Sequence, residues 1–197
     1  MKSFISKFKI AKAQHDIRSN AYLKALKTHV SKFDSIKIDD LSTLNKPLED
    51  YDLIVTLGGD GTFLKTASYI HDETPILGLN TDSERSYCTF CSFNPNLISM
   101  EPELVWKKVF SHDYEIEKRT RIKFGVKGLN HPASEEATSQ FQILNALNEV
   151  FFADKDVGKT SNFRISIDGK DFEYYRSGGI IVATGKIFID SLTISNS

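Results

Sequence analysis

A chain of 197 residues with 40% hydrophobic content can hold one ordinary domain, or one complete domain and part of another. Lys+Arg 25 against Asp+Glu 26 leaves a formal net charge of -1, so nothing in the balance asks for nucleic acid or an anionic membrane as partner, and no stretch has the apolar length of a membrane span. Two cysteines, Cys88 and Cys91, exclude a disulfide framework; their C-x-x-C spacing suits a redox couple or half of a zinc site, but with no second pair and the histidines scattered at 15, 29, 71, 112 and 131 we read two ordinary thiols of a reducing compartment and expect no metal-ligand set.

The first dozen residues carry Lys2, Lys7, Lys9 and Lys12 with no acid before Asp16, the charge bias of a targeting segment. Phe8 and Ile10 alternate with these lysines, however, and we read a first strand, which weakens the case for a cleaved presequence. From Asp16 or Ser19, either of which can cap, Ile17, Ala21, Tyr22, Ala25, Leu26, Val30 and Phe33 fall on one helical face. Ile36 and Ile38 suggest a short second strand. Leu41, Leu44 and Leu48 suggest a helical or irregular crossing that ends near Pro47.

Asp52 to Leu57 is an apolar run of strand length that enters Gly58-Gly59-Asp60-Gly61-Thr62 without a gap. Phe63, Leu64, Ala67 and Ile70 then recur at helical spacing. This describes a buried strand, a tight turn and a helix over 62–71. Glycines in such a turn let the backbone approach a ligand, and the free N–H groups of the helix's first turn suit phosphate oxygens. Asp60 among them can take a proton from a hydroxyl nucleophile, help hold a divalent ion, or bond a sugar hydroxyl. The alternative is a sharp turn in which Asp60 only caps the helix.

Pro75 to Leu79 predicts a further strand closed by Asn80-Thr81-Asp82, and the alternation predicts β-α-β units with a parallel sheet. Ligands bind beyond the carboxyl ends of such strands, where both Asp60 and Asn80 would project. Residues 83 to 98 are irregular. Glu101-Pro102-Glu103 starts a helix whose Leu104, Val105, Val109 and Trp106 are candidates to pack inward. From Tyr114 the period becomes two, through Ile116, Ile122, Phe124 and Val126, which predicts half-buried antiparallel strands. Residues 128 to 140 read as a surface loop.

The run Phe141 to Phe152 is apolar with Asn148 and Glu149 set inside it, and burying that pair requires partners, from a ligand's hydroxyls or from the protein itself. Residues 162 to 175 predict a hairpin about Asp168-Gly169. Gly178 to Gly185 predicts a strand running into a second glycine turn. The organisation is therefore α/β: an N-terminal parallel-sheet domain over 1–112 and a β-rich second domain over 113–197.

With the glycine turn, Asn80-Thr81-Asp82 and Ala146-Leu147-Asn148-Glu149-Val150 in place, the chain resembles the NAD kinases, and within them the divergent mitochondrial type, which shares the stretch to Glu84-Arg85-Ser86. The Gly58 to Thr62 turn is also shared with lipid kinases and phosphofructokinases; the Asn148-Glu149 motif makes the resemblance specific. It implies transfer of the γ-phosphoryl of ATP, with a divalent metal such as Mg2+, to the 2′-hydroxyl of the adenosine ribose of NAD, giving NADP. It further implies Asp60 as the essential acid, Gly58, Gly59, Gly61 and Thr62 against phosphates, and Asn80, Asn148, Glu149 and Thr184 in the ligand site. A homo-oligomer and a mitochondrial location are implied too, with the cytosol as the alternative. Matching ends after Thr184 and Gly185, at Lys186-Ile187-Phe188, so a truncated second domain with weak or no activity is expected; a non-catalytic nucleotide-binding fragment, or a kinase acting on a lipid or sugar, are the other readings.

Overall fold

The structure, a computed structural model, describes residues 2–43, 47–91, 101–127, 141–156 and 158–184, so Leu44, the 128–140 loop and Gly185 onward lie outside the described residues. The chain divides into two compact units, Met1–Lys118 and Arg119–Ser197.

The first unit begins with helix α1, Lys2–Leu26. The expected first strand at Phe8 and Ile10 is therefore absent, and the helix runs through it. The reason is local: no glycine or proline occurs before Pro47, and Lys, Ala and Gln dominate residues 7 to 14, whereas two alternating apolar residues are too few to set a strand. The helix also stops earlier than its periodicity suggests. The hydroxyl of Thr28 donates to the Ala25 carbonyl at 2.8 Å, with His29 Nδ1 3.3 Å from the same oxygen, and this closes the end before Val30 and Phe33. Ile17, expected inward, is exposed.

The strand expected at Ile36 and Ile38 is likewise replaced by extended coil and a 3-10 turn over Ile38–Thr43. Asp40 N–H donates to the Lys37 carbonyl and the Thr43 hydroxyl donates to the Asp40 carbonyl, so short-range bonds take up the backbone groups a strand would need. A second 3-10 turn, Leu48–Asp50, leads to strand β1, Ile54–Leu57. Helix α2 is Asp60–Ala67, strand β2 is Ile76–Leu79 and helix α3 is Pro102–Phe110. β1 and β2 are parallel, in the register Ile54 to Ile76 through Leu57 to Leu79, joined by α2 as expected.

The period of two assigns the two faces of this pair. Val55, Leu57, Leu77 and Leu79 pack with Ala25, Val105 and Trp106, under α1 and α3. Ile54 and Ile76 pack with Leu41, Leu48 and Ile70, under the 3-10 turns and the end of α2. Trp106, 2% exposed, ties the first layer together, because its indole N–H donates to the Tyr22 carbonyl at 2.9 Å while the ring fills the space between α1 and α3. Leu104, expected inward, is 42% exposed, since it lies one position off the stripe of Val105 and Trp106.

The second unit consists of antiparallel pairs, as the period-two pattern predicts. β3, Ile122–Lys127, pairs with β4, Phe141–Ala146. β5, Glu149–Phe152, and β8, Ile180–Ala183, form another pair, and β6, Ser161–Ile165, with β7, Glu173–Ser177, form the third. The expected hairpin turn is present: Asp168 and Gly169 both have positive φ, 54° and 72°, and Lys170 N–H closes on the Ile167 carbonyl. Arg164 lies 4.2 Å over the Phe172 ring beside it. β3 begins at Ile122, so Tyr114 and Ile116 are exposed coil instead of strand.

Candidate functional site

β1 delivers the chain into the glycine turn at its carboxyl end. Gly58 N–H donates to the Leu79 carbonyl at 3.0 Å, which keeps the turn on the parallel pair. A Cβ at Gly58 would stand 2.5 Å from Thr62 Oγ1 and 2.9 Å from Thr62 Cβ, so the return of the chain onto itself requires glycine here. Gly59 is the N-cap residue of α2 and contributes no side-chain cap, and Thr62 and Phe63 N–H both turn back to its carbonyl. At Gly61 a Cβ would meet nothing within 4 Å. The first turn of α2 thus borders open space.

Asp60 is the first residue of α2 and not its cap. Its carboxylate instead accepts the backbone N–H of Thr89 on Oδ2 at 3.0 Å and that of Phe90 on Oδ1 at 2.8 Å. Two N–H groups occupy half of the roughly four acceptor positions of a carboxylate, so acceptor capacity remains. The loop it holds packs tightly on the sheet: Phe90 stacks on Phe63 with ring centroids 5.6 Å apart, and a Cβ at Gly78 would lie 2.8 Å from the Phe63 ring, 3.1 Å from Cys91 Cα and 3.2 Å from the Phe90 carbonyl.

The cysteines are not free thiols. Cys88 and Cys91 form a disulfide, with Cα atoms 5.3 Å apart, within the span such a bond bridges. The expectation of ordinary thiols failed because spacing alone does not tell a paired from an unpaired C-x-x-C. Cys88 Sγ lies 3.0 Å from Asp60 Oδ1.

Asn80 follows β2 and organises its own loop. Its Nδ2 donates to the Ser86 carbonyl at 2.7 Å and its Oδ1 accepts Asp82 N–H at 2.9 Å, an Asx turn. α1 pins the same loop from outside it. His15 Nδ1 is 2.7 Å from the hydroxyl of buried Thr81, and Arg18 bonds Ser83 at 2.6 Å and Glu84 at 2.9 Å.

In the second unit Asn148 is half-buried and Glu149 is exposed, so the expected burial of a carboxylate does not occur. Glu149 opens β5 and is exposed to solvent there. Thr184 lies beside this turn: its N–H donates to the Asn148 carbonyl at 2.9 Å, and its hydroxyl is 3.2 Å from that oxygen and 3.3 Å from the Leu147 carbonyl. The structure therefore brings Asp60, the glycines, Thr62 and Asn80 together in one unit, and Asn148, Glu149 and Thr184 in the other.

Residues 5–95, which include most of α1, the glycine turn and the Asn80 loop, match the ATP-NAD kinase N-terminal domain. The first half of the chain is an ATP-NAD kinase N-terminal domain. The match extends further in whole sequences. An NAD kinase of Methanothermobacter thermautotrophicus is 34% identical over 139 residues, 68% of this chain and 41% of that protein. An NAD kinase of Bacteroides fragilis is 28% identical over 151 residues, 76% of this chain and 46% of the relative. The chain spans less than half the length of these curated relatives. Among solved structures, the yeast NADH kinase complexed with NADH aligns with a TM-score of 0.50 at 22% identity, over 74% of this chain and 45% of that one, a likeness of fold.

Within the NAD-kinase-type domain, the sequence reading missed His15, Arg18, Thr89 and Phe90. Thr89 and Phe90 act through backbone N–H groups, which no side-chain pattern announces. His15 and Arg18 had a signal, a polar stripe on a helix that also carries half-buried Tyr22 and buried Ala25, but it reads equally as a solvated face.

Proposed function

We propose that the chain binds ATP and NAD and transfers the γ-phosphoryl group to the 2′-hydroxyl of the adenosine ribose. The observation that carries this reading is the Asp60 carboxylate, held by two N–H groups in the first turn of α2 at the carboxyl end of a parallel strand, next to open space at Gly61. Phosphoryl transfer depends on placement and charge neutralisation more than on covalent chemistry, and these parts supply placement. Asp60 would accept the proton of the attacking hydroxyl. Gly58, Gly59, Gly61 and Thr62 would face phosphates, and Asn148, Glu149 and Thr184 would bind ribose hydroxyls. Asn80 would hold the loop edge of the site, since its side chain is committed to that loop.

A resident Mg2+ fits these residues poorly. Among the described residues, the cluster with three metal-ligating side chains is Asp60, Cys88 and Cys91, and sulfur is a poor donor for that ion. The divalent ion would enter on the nucleotide's own phosphates.

A second reading, nucleotide binding without catalysis, is favoured by the use already made of Asp60 as the anchor of the 88–91 loop. NADP formation from NAD, ATP and magnesium by the purified chain decides between them. Asp60→Asn keeps an acceptor for Phe90 N–H but removes the base, and is expected to lower kcat by about 100-fold or more with unchanged circular dichroism. A folded wild-type chain that binds ATP and forms no NADP would establish the second reading.

A further inference from the structure

The geometry points to a soft divalent-cation site, of the zinc class, made by Asp60, Cys88 and Cys91 once the disulfide is reduced. The ligating atoms of these three half-buried residues all lie within 4.8 Å of one another, and they form such a trio without any help from histidine. A zinc ion with sulfur at about 2.3 Å and carboxylate oxygen at about 2.0–2.2 Å accepts this donor set, with its fourth position left to water.

The closest contact carries the argument. Cys88 Sγ stands 3.0 Å from Asp60 Oδ1 while bonded to Cys91, so two electron-rich atoms face each other with no proton between them. A thiol proton or a cation is the group that belongs in that contact. The frame around it is fixed independently of the S–S bond: Thr89 and Phe90 N–H hold Asp60, Phe90 stacks on Phe63, and the loop backbone rests on Gly78. Cys91 Sγ is additionally 3.7 Å from the Gly58 carbonyl. Opening the disulfide therefore leaves both sulfurs near Asp60 instead of dispersing them.

The chemistry balances with a dithiol as reductant. One of its thiolates attacks a sulfur of the pair and expels the other as a thiolate; its second thiol then closes on the mixed disulfide. The reductant ends as a disulfide, and its two electrons and two protons reside on Cys88 and Cys91. Cation binding then displaces both protons, because thiolates are the ligands. Binding itself does not depend on the proposed kinase activity; the consequence that an ion on Asp60 withholds that carboxylate from phosphoryl transfer does rest on it.

The test uses the whole chain, reduced anaerobically with a water-soluble phosphine and freed of it, beside the oxidised chain. Zinc content after dialysis and the sulfur-to-metal charge-transfer bands of Co2+ are the readouts. The reduced chain is expected to retain about one equivalent of zinc and to show those bands, and the oxidised chain neither. Cys91→Ser and Cys88→Ser should each weaken the bands and lower zinc affinity by at least about tenfold, and Asp60→Asn should lower affinity by a similar factor with the bands retained. No zinc on the folded, reduced chain overturns the proposal, as does zinc binding that is the same in the oxidised chain or in the two serine variants. Unchanged affinity in Asp60→Asn overturns the place of Asp60 in the site. Absence of NADP formation in the zinc-free and the oxidised chain, with zinc binding by the reduced chain intact, would count against the kinase reading alone.

Discussion

Gly58 and Gly61 sit three residues apart in one motif and answer to different demands. At Gly58 the demand is internal, since a methyl group would overlap Thr62. Gly58→Ala is expected to destabilise the first unit by about 1–3 kcal/mol, read as a lower urea midpoint. At Gly61 no protein atom objects, and alanine suits a helix better by roughly 0.5–1 kcal/mol. Gly61→Ala should therefore keep or slightly raise the melting temperature while weakening ATP binding in a nucleotide titration. Equal ATP affinity in that variant would mean that phosphates do not approach there. Asp60 shows the same division of labour: its type and position were legible in the sequence, but its hydrogen-bond partners, Thr89 and Phe90, were not, because backbone donors about thirty residues away leave no pattern.

Among the elements, α1 and α3 carry the first layer of the core, and Trp106 joins them. Removing its ring leaves a cavity and takes away the indole N–H bond to the Tyr22 carbonyl, so Trp106→Ala should cost about 3–5 kcal/mol in denaturant unfolding. Tyr22 itself adds a pH dependence. Burial holds its phenol above the ordinary 10.0, an effect that nearby Arg18 partly offsets. The folded state thus keeps its proton longer than the unfolded state, so stability from this group is fully present below about pH 10 and falls as pH rises through the folded value. Tyr51 and Tyr175, bonded to Asp34 and Glu173, are shifted the same way. Alkaline unfolding of Tyr22→Phe is expected to show a shallower loss of stability than wild type; an identical pH profile would remove Tyr22 as a cause. The elements read wrongly, the strand at Phe8 and Ile10 and the strand at Ile36 and Ile38, rested on two apolar residues each. The Asp168-Gly169 hairpin was read correctly, because a required positive φ leaves few alternatives; the longer runs were right in kind but not in extent, since α1 ends at Leu26 with Ile17 exposed and the period-two strand begins only at Ile122.

For the whole molecule, the contrast between the units is in their surfaces. The second unit exposes Phe151, Phe152, Phe172, Tyr174, Ile181 and Val182, while Val150 is its buried apolar residue among those described. Exposed strand faces of this kind promote association. The chain at micromolar concentration should scatter light and bind a hydrophobic dye, and Ile181→Thr, which keeps a β-branched residue in β8, should reduce both without lowering the stability of the first unit. A monodisperse monomer that binds no dye would show that these residues are individually solvated.

What the sequence by itself determined is the part with short-range causes: the strand, turn and helix about Gly58 to Thr62, the parallel partner at Ile76 to Leu79, the antiparallel texture after residue 121, and the kinship with NAD kinases that those motifs carry. The tertiary structure alone decided that α1 grips the Asn80 loop through His15 and Arg18, that Asn80 spends its amide on that loop, that Glu149 faces water, and that the Cys88–Cys91 loop closes on Asp60. The physical reason is range. Helix propensity, alternation and turn geometry act over a few neighbours, whereas a hydrogen bond between residues 30 or 66 positions apart exists only after the core has brought their elements together.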